Sequence, residues 1–309
     1  MSARRTVLRG SRRRAGQALA VALMVLAFMT AVLGSMSLGL LVEARYARAN
    51  QERLEAFYLA RAGLEAAYHA LGNDDPGFDG LADPWCGEVL PEKSLGNGSC
   101  DVTYIDEQTG QRRPGIVDEE RKLNINLADR AMLMALSPDF TDSVAKAVIA
   151  HRLEHPFASP EDLATVPGLS METLLRPRPQ LDSGVLGLLT VVGDGKVNVN
   201  TAPVPVLKCL PVLSDAQVQS IMAQRNGPDG KPGTADDKPF KSLAELAAAL
   251  NLSDAALAQL KPWVSVASKY FTIRAMGRIP GKRLVLCELR QTVLREDNAL
   301  TTRSYERVR

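Results

Sequence analysis

The stretch from Gln17 to Val42 holds 26 residues and no charge. As a helix rising ~1.5 Å per residue it would be ~39 Å long, enough to cross a bilayer core of ~30 Å. Six arginines (Arg4, Arg5, Arg9, Arg12, Arg13 and Arg14) and no acid precede it. Positive charge on that side places the N-terminus in the cytoplasm and the rest of the chain beyond the inner membrane. A secretory signal has an apolar core of only ~7–15 residues. Two readings remain. One is a plain membrane anchor. The other is a short basic leader, residues 1–16, cut after Gly16 so that Gln17 becomes the first residue and the apolar helix stays.

The segment that follows bears on this choice. Val42 to Leu71 has no proline, and Gly63 is its one weak helix former. Apolar residues at Leu54, Phe57, Tyr58, Leu64, Ala67 and Leu71 recur near a helical period, and charges fill the other face. One unbroken helix is expected from about Gln17 to Leu71, apolar first and amphipathic after. Such a helix, entering a globular head as its spine, resembles the type IV pilins and pseudopilins, and Phe57–Glu65 resembles the same helix in them. Pilins usually carry Glu at the fifth mature position, where this chain has Val21. A carboxylate there would meet a neighbour's N-terminal amine in an apolar filament core, where an unpaired charge is expensive. A subunit without it is expected at a filament tip.

The middle of the chain repeats itself. Lys122–Ala128 (KLNINLA) matches Lys196–Ala202 (KVNVNTA) at an offset of 74, and Asp142, Ala150 and Arg152 match Asp215, Ala223 and Arg225 at 73. Pro156-Phe157 matches Pro239-Phe240, and Ser159–Leu163 matches Ser242–Leu246. A Gly- and Asp-rich insertion, Gly227–Lys238, lengthens the second unit. The Asn-x-Asn start is expected to cap a first helix. A second helix is expected over about 142–153 or 215–225, and a third after Ser159 or Ser242 with an acid three residues on. The units resemble helix-hairpin-helix (SAM-like) repeats, which hold DNA phosphates on a Gly-x-Gly hairpin. Here Val166-Pro167-Gly168-Leu169-Ser170 has a serine at the second glycine, and Leu250-Asn251-Leu252-Ser253 has no glycine. The net charge of +2 turns acidic once the leader arginines are set aside, unlike a phosphate-binding surface. A packing scaffold is therefore expected.

Beyond Trp263, Lys269–Arg278 and Arg283–Leu294 read as two strands around an Ile-Pro-Gly-Lys turn. Two strands make no domain alone, so they are expected to join a strand near Asp101–Asp106 against the long helix. The resulting fold is α+β: a pilin-like head with a small antiparallel sheet and a large all-α insertion. The segments are a leader (1–16), a membrane half-helix (17–42) and the first part of the head (43–120). Repeats at 121–195 and 196–263, closing strands at 264–295 and a tail at 296–309 complete the chain. Leader, Val21, paired Asn-x-Asn units and closing Tyr-Phe-x-Ile-Arg-Ala hairpin, in that order, resemble the type II secretion minor pseudopilin protein K family.

The resemblance implies a non-enzymatic pseudopilus-tip component that helps start assembly and export folded proteins across the outer membrane. It implies cleavage by prepilin peptidase and N-methylation at Gln17. Its partners would be the other minor pseudopilins (proteins I and J, then H), the major pseudopilin, the inner membrane, secreted cargo and the outer-membrane secretin, with no nucleic acid. On residues alone, the 226–238 segment reads either as a solvated Asp-Gly turn or as a loop of hard oxygen ligands. The resemblance implies calcium there, with Asp229, Asp236 and Asp237 as side-chain ligands. In the oxidising periplasm, Cys86 and Cys100, which flank a Gly- and Pro-containing segment, are expected to form a disulfide, and Cys209 and Cys287 to be buried thiols. His69, His151 and His155 make no metal or nucleophile motif. The rival reading is a membrane-anchored helix-hairpin-helix DNA-binding protein of a competence-type apparatus.

Overall fold

The computed structural model describes residues 4–87, 89, 94–106, 110–178, 184–297 and 299–308, with backbone alone for 4–15. Leader residues 1–3 lie outside the described residues. The chain divides into two units, 1–54 and 55–309. Helix α1 spans Arg4–Gly72 without interruption, as the lack of a breaker predicts, and it begins within the leader. In the first unit every residue from Gly16 to Arg48 is exposed. It is long and apolar enough to cross a membrane, with none of its most apolar window buried.

The second unit opens with the last turns of α1, Glu55–Gly72. Strands β1 (Ser94–Leu95), β2 (Gly98–Ile105), β3 (Arg112–Pro114) and β4 (Val117–Asp118) follow. The first repeat is β5 (Leu123–Asn124), α2 (Arg130–Leu136), α3 (Asp142–Glu154), a 3-10 turn at Pro160–Thr165, α4 (Met171–Leu175) and β6 (Leu189–Thr190). The second is β7 (Val197–Asn198), α5 (Val204–Leu207), α6 (Asp215–Arg225), α7 (Leu243–Ala249), α8 (Asp254–Leu260) and β8 (Val264–Ser265). Strands β9 (Tyr270–Arg278), β10 (Cys287–Glu296) and β11 (Ala299–Arg307) close the chain. The antiparallel sheet runs β1-β2-β9-β10-β11, with β3 on β2 and β4 on β9.

Two expectations change here. The residues set aside as a tail form β11, paired with β10 from Leu289↔Arg307 to Glu296↔Ala299. Nearly all of β11 is exposed, so it has no buried face to imprint an alternating pattern. The buried stripe of α1 is Ala56, Ala60, Leu64, Ala67 and Leu71, whereas Leu54 and Tyr58 are 56% and 59% exposed. The stripe is mostly alanine because the sheet lies so close. A Cβ on Gly277 would run into the Ala56 backbone, and one on Gly63 into Cys100 Sγ. Against this face pack Phe271, Ile273 and Ala275 of β9 and Leu289 and Val293 of β10.

The repeats form a separate core, including Leu133, Phe140, Phe157, Leu207 and Phe240. Each repeat closes on its own start with a two-residue parallel bridge, β5 to β6 and β7 to β8.

Candidate functional site

The repeat seen in sequence is a repeat of bonds. Asn124 Oδ1 accepts Asn126 N–H at 2.9 Å, and Asn198 Oδ1 accepts Asn200 N–H at 2.9 Å. Asn126 then clasps the Phe157 backbone through both amide atoms (3.0 and 2.9 Å), and Asn200 clasps Phe240 (2.9 and 2.8 Å). Arg152 donates to Ile125 O at 2.7 Å, and Arg225 to Val199 O at 2.9 Å. The asparagines were expected to cap the first helix; they tie the Pro-Phe segments instead, and the α2 cap is Asp129, which accepts from Met132 N–H at 2.7 Å. The hairpin turns also correspond. Gly168 (φ +93°) precedes α4 by three residues and Asn251 (φ +51°) precedes α8 by three. Asparagine tolerates the left-handed region, which explains a second unit without glycine. One amide in the first turn of each helix, Thr173 N–H in α4 and Ala256 N–H in α8, donates to Ser170 and Ser253 at 3.2 Å.

The aspartate loop lies between α6 and α7. Thr234 Oγ1 is within 2.7 Å of Asp236 Oδ1, 3.3 Å of Asp237 Oδ1 and 3.4 Å of Asp229 Oδ1. Asp229 N–H donates to Asp236 Oδ2 at 3.0 Å, Lys231 N–H to Asp229 Oδ1 at 2.7 Å and Gly233 N–H to Asp237 Oδ2 at 2.8 Å. The Thr234 hydroxyl and the Asp229 amide hold Asp236 below the usual carboxylate range. One hydroxyl donates one hydrogen bond, so the three carboxylates share the Thr234 hydroxyl. Each of the three carboxylates also accepts a backbone N–H. The structure therefore brings Asp229, Asp236 and Asp237 together.

The tighter carboxylate group among the described residues, Asp74, Asp79 and Asp83, already has a cation. Arg295 Nη2 donates to both Asp79 oxygens at 2.6 Å, and Arg295 Nη1 lies 3.3 Å from Asp74. Burial pushes Asp79 up and Arg295 pulls it back. Ser268 N–H donates to Asp79 at 2.6 Å, and Ser268 Oγ to Asp118 at 2.7 Å. Asp118 also accepts from Thr201 Oγ1 at 2.5 Å and from Glu120 N–H at 2.8 Å. This network fixes where the helical body leaves and rejoins the sheet. Its members lie up to 221 positions apart, and no local pattern marks them. Beside it, Glu120 is pushed up to about 9 by burial, with Asp118 adding like-charge repulsion. Its Oε1 has no hydrogen-bond partner.

The expected Cys86–Cys100 bridge is not formed; all four cysteines are free. Cys100 is buried under α1 at Gly63, while Cys86 ends a 3-10 turn against Gly115. Cys209 and Cys287 are buried thiols as expected. Gly16 and Gln17 sit exposed in α1, and an added Cβ at Gly16 would meet nothing within 4 Å.

An apolar helix continuing into the spine of an α+β head, with two helix-hairpin-helix repeats hung between sheet strands, defines a pilin-like subunit with a helical insertion. Residues 197–267 match the family described as type II secretion system (T2SS), protein K, and residues 118–182 match the helix-hairpin-helix motif. A crystal structure of the GspK-GspI-GspJ complex from the enterotoxigenic Escherichia coli type 2 secretion system shares the fold. It aligns with a TM-score of 0.60 and 17% identity, over 85% of this chain and 99% of that chain. No curated protein matches the chain. The family match covers the second repeat, and the fold likeness covers most of the chain.

Proposed function

We propose that this protein is a minor pseudopilin at the tip of a type II secretion pseudopilus, helping to start the filament and to export folded proteins. The protein K match across the second repeat carries this reading. The protein K structure of the same fold is of a complex with GspI and GspJ, which supports proteins I and J as neighbours here. Protein H, the major pseudopilin, cargo and the secretin complete the proposed contacts. The head is enlarged by the whole of residues 119–269 and Val21 lacks a carboxylate, and both features favour a tip over a shaft. The role is assembly, with no catalysis. The six arginines before the apolar helix favour a single pass through the inner membrane with the head in the periplasm. Prepilin peptidase would cut between Gly16 and Gln17, Gln17 would be methylated, and Asp229, Asp236 and Asp237 would hold calcium with backbone carbonyls completing the shell.

Site-specific crosslinking in cells tests the placement. Adducts with proteins I and J, and few with the major pseudopilin, are expected; regular self-adducts along a filament would refute it. The helix-hairpin-helix match makes a gel shift the check on the DNA-binding rival. Salt-sensitive binding of the full chain to any duplex would favour that rival.

A further inference from the structure

Strand β9 runs back along α1, so one end of the sheet lies where α1 enters the head. Ala275 packs on Gly63, Gly277 on Ala56, and Gly98 of β2 on Leu59. The β9–β10 hairpin, residues 279–286, extends beyond Gly277 at this end, as does the Gly96-Asn97 turn before β2. Lys282 N–H closes the hairpin turn on Ile279 O at 3.1 Å, with Pro280 and Gly281 (φ +77°) between them, the residues that such a turn prefers. Ladder pairing resumes only at Cys287↔Gly277. Ile279 and Leu286 turn in to the head core, whereas Pro280, Lys282, Arg283 and Leu284 are exposed, Leu284 by 68%. A single exposed leucine is ordinary on a protein surface; its place and its neighbours give this one meaning. Among the described residues Arg283 makes no hydrogen bond or ion pair, while Lys282 has a partner of its own. Neither 94–99 nor 279–286 contains an acid, and Asp101 on β2 pairs with Arg278 at 2.6 Å. The acids lie at the opposite end of the sheet, where Asp74 meets Arg295 and Glu296 and Asp297 follow. On α1, Glu43, Glu52 and Glu55 balance Arg45, Arg48 and Arg53. The 43–56 stretch of α1 measures about 21 Å at ~1.5 Å per residue, a short tether between the apolar run and this end of the sheet.

We propose that the 279–286 hairpin docks on the anionic surface of the bilayer that holds α1, with Leu284 entering the headgroup layer and Arg283 meeting lipid phosphate. Apolar burial combined with attraction to anionic lipid is what binds an element to a membrane surface. Alone, so small a contact is weak; α1 makes it intramolecular, at a high effective concentration. The proposal rests on residues 17–42 being a membrane anchor, and not on the place of the protein in a secretion apparatus.

Hydrogen exchange of the full chain tests it, in vesicles of phosphatidylcholine alone and of phosphatidylcholine mixed with phosphatidylglycerol. The anchor should make the parent float with both kinds of vesicle; failure to float would overturn the anchor and the docking with it. In a chain that floats, exchange over residues 281–286 should be slower in the phosphatidylglycerol vesicles than in the neutral ones, with no change at Glu296 and Asp297. Arg283→Glu and Leu284→Ser should each abolish that slowing at an unchanged melting temperature, and high salt should weaken it. Equal exchange in the two kinds of vesicle would overturn the docking and leave the anchor standing. So would slowing that survives Arg283→Glu, or slowing in detergent that grows with protein concentration.

Discussion

Single residues set the chemistry at three places. Glu120 is buried with a pKa near 9, against about 4.3 in an unfolded chain. The folded state therefore holds its proton more tightly. That contribution to stability is complete below about pH 4.3 and is lost as pH rises through about 9. Glu120→Gln should raise the melting temperature of the parent, by an amount that grows from pH 5 to pH 9; an equal gain at every pH would contradict the assignment. In the aspartate loop, calcium should raise the melting temperature by mass action, and Asp236→Asn should remove most of that rise. No response to calcium in the parent would leave the loop as a hydrogen-bonded turn. At the leader, Gly16 lowers helix propensity by about 1 kcal/mol relative to alanine, so α1 opens more readily at the cut site than it would with alanine there. Gly16→Ala should keep the leader attached; a mature N-terminus at Gln17 in that variant, read by mass spectrometry, would refute the site. The gathering of Asp229, Asp236 and Asp237 around Thr234 was legible in the sequence because these residues are neighbours along the chain. The Asp79–Arg295 and Asp118–Ser268 bonds were not, because each joins groups 150 or more positions apart.

Among the elements, the repeats were the most legible, since equal positions make equal bonds. The 74-residue offset of the two Asn-x-Asn units survives as the paired clasps on Phe157 and Phe240. The α1–sheet contact was half legible. Apolar spacing identified Leu64, Ala67 and Leu71, but the alanines Ala56 and Ala60 carry too little hydrophobicity to stand out from a helix surface. Their part is to be small. Gly277 on β9 lies where any Cβ would strike the Ala56 backbone, so Gly277→Ala must push helix and sheet apart. A loss of about 1–3 kcal/mol is expected, the usual cost of overpacking. Gly72→Ala, with nothing within 4 Å of the new methyl group, should change stability little. Comparable losses from the two, measured by urea unfolding, would mean that the close approach is not what holds the sheet. Strand β11 was illegible for the opposite reason: with both faces in solvent, its polar sequence resembles a tail.

At the scale of the whole chain, the helical body leaves the head after Asp118 and returns at Lys269. Those ends meet: β4 pairs with β9 at Asp118↔Phe271, and Ser268 and Asp118 are hydrogen-bonded. Replacing Glu119–Lys269 by a short Asn-Gly turn, the favoured hairpin link, should leave the α1–sheet head folded at a lower melting temperature. Loss of the strand signal in circular dichroism would show that the sheet needs the body. The boundaries fall two residues earlier and six later than the sequence repeat indicates, because the bonds that close the body lie outside its repeated part. The same closure governs the order of events in time. Strand β9 must find β2 and β4 across more than 150 intervening residues, and joining ends so far apart is slow because the chain entropy of the loop must be lost first. Once each repeat has shut on its own parallel bridge, that distance collapses to a few ångströms. The sheet then closes across a shorter effective loop, at a smaller entropy cost.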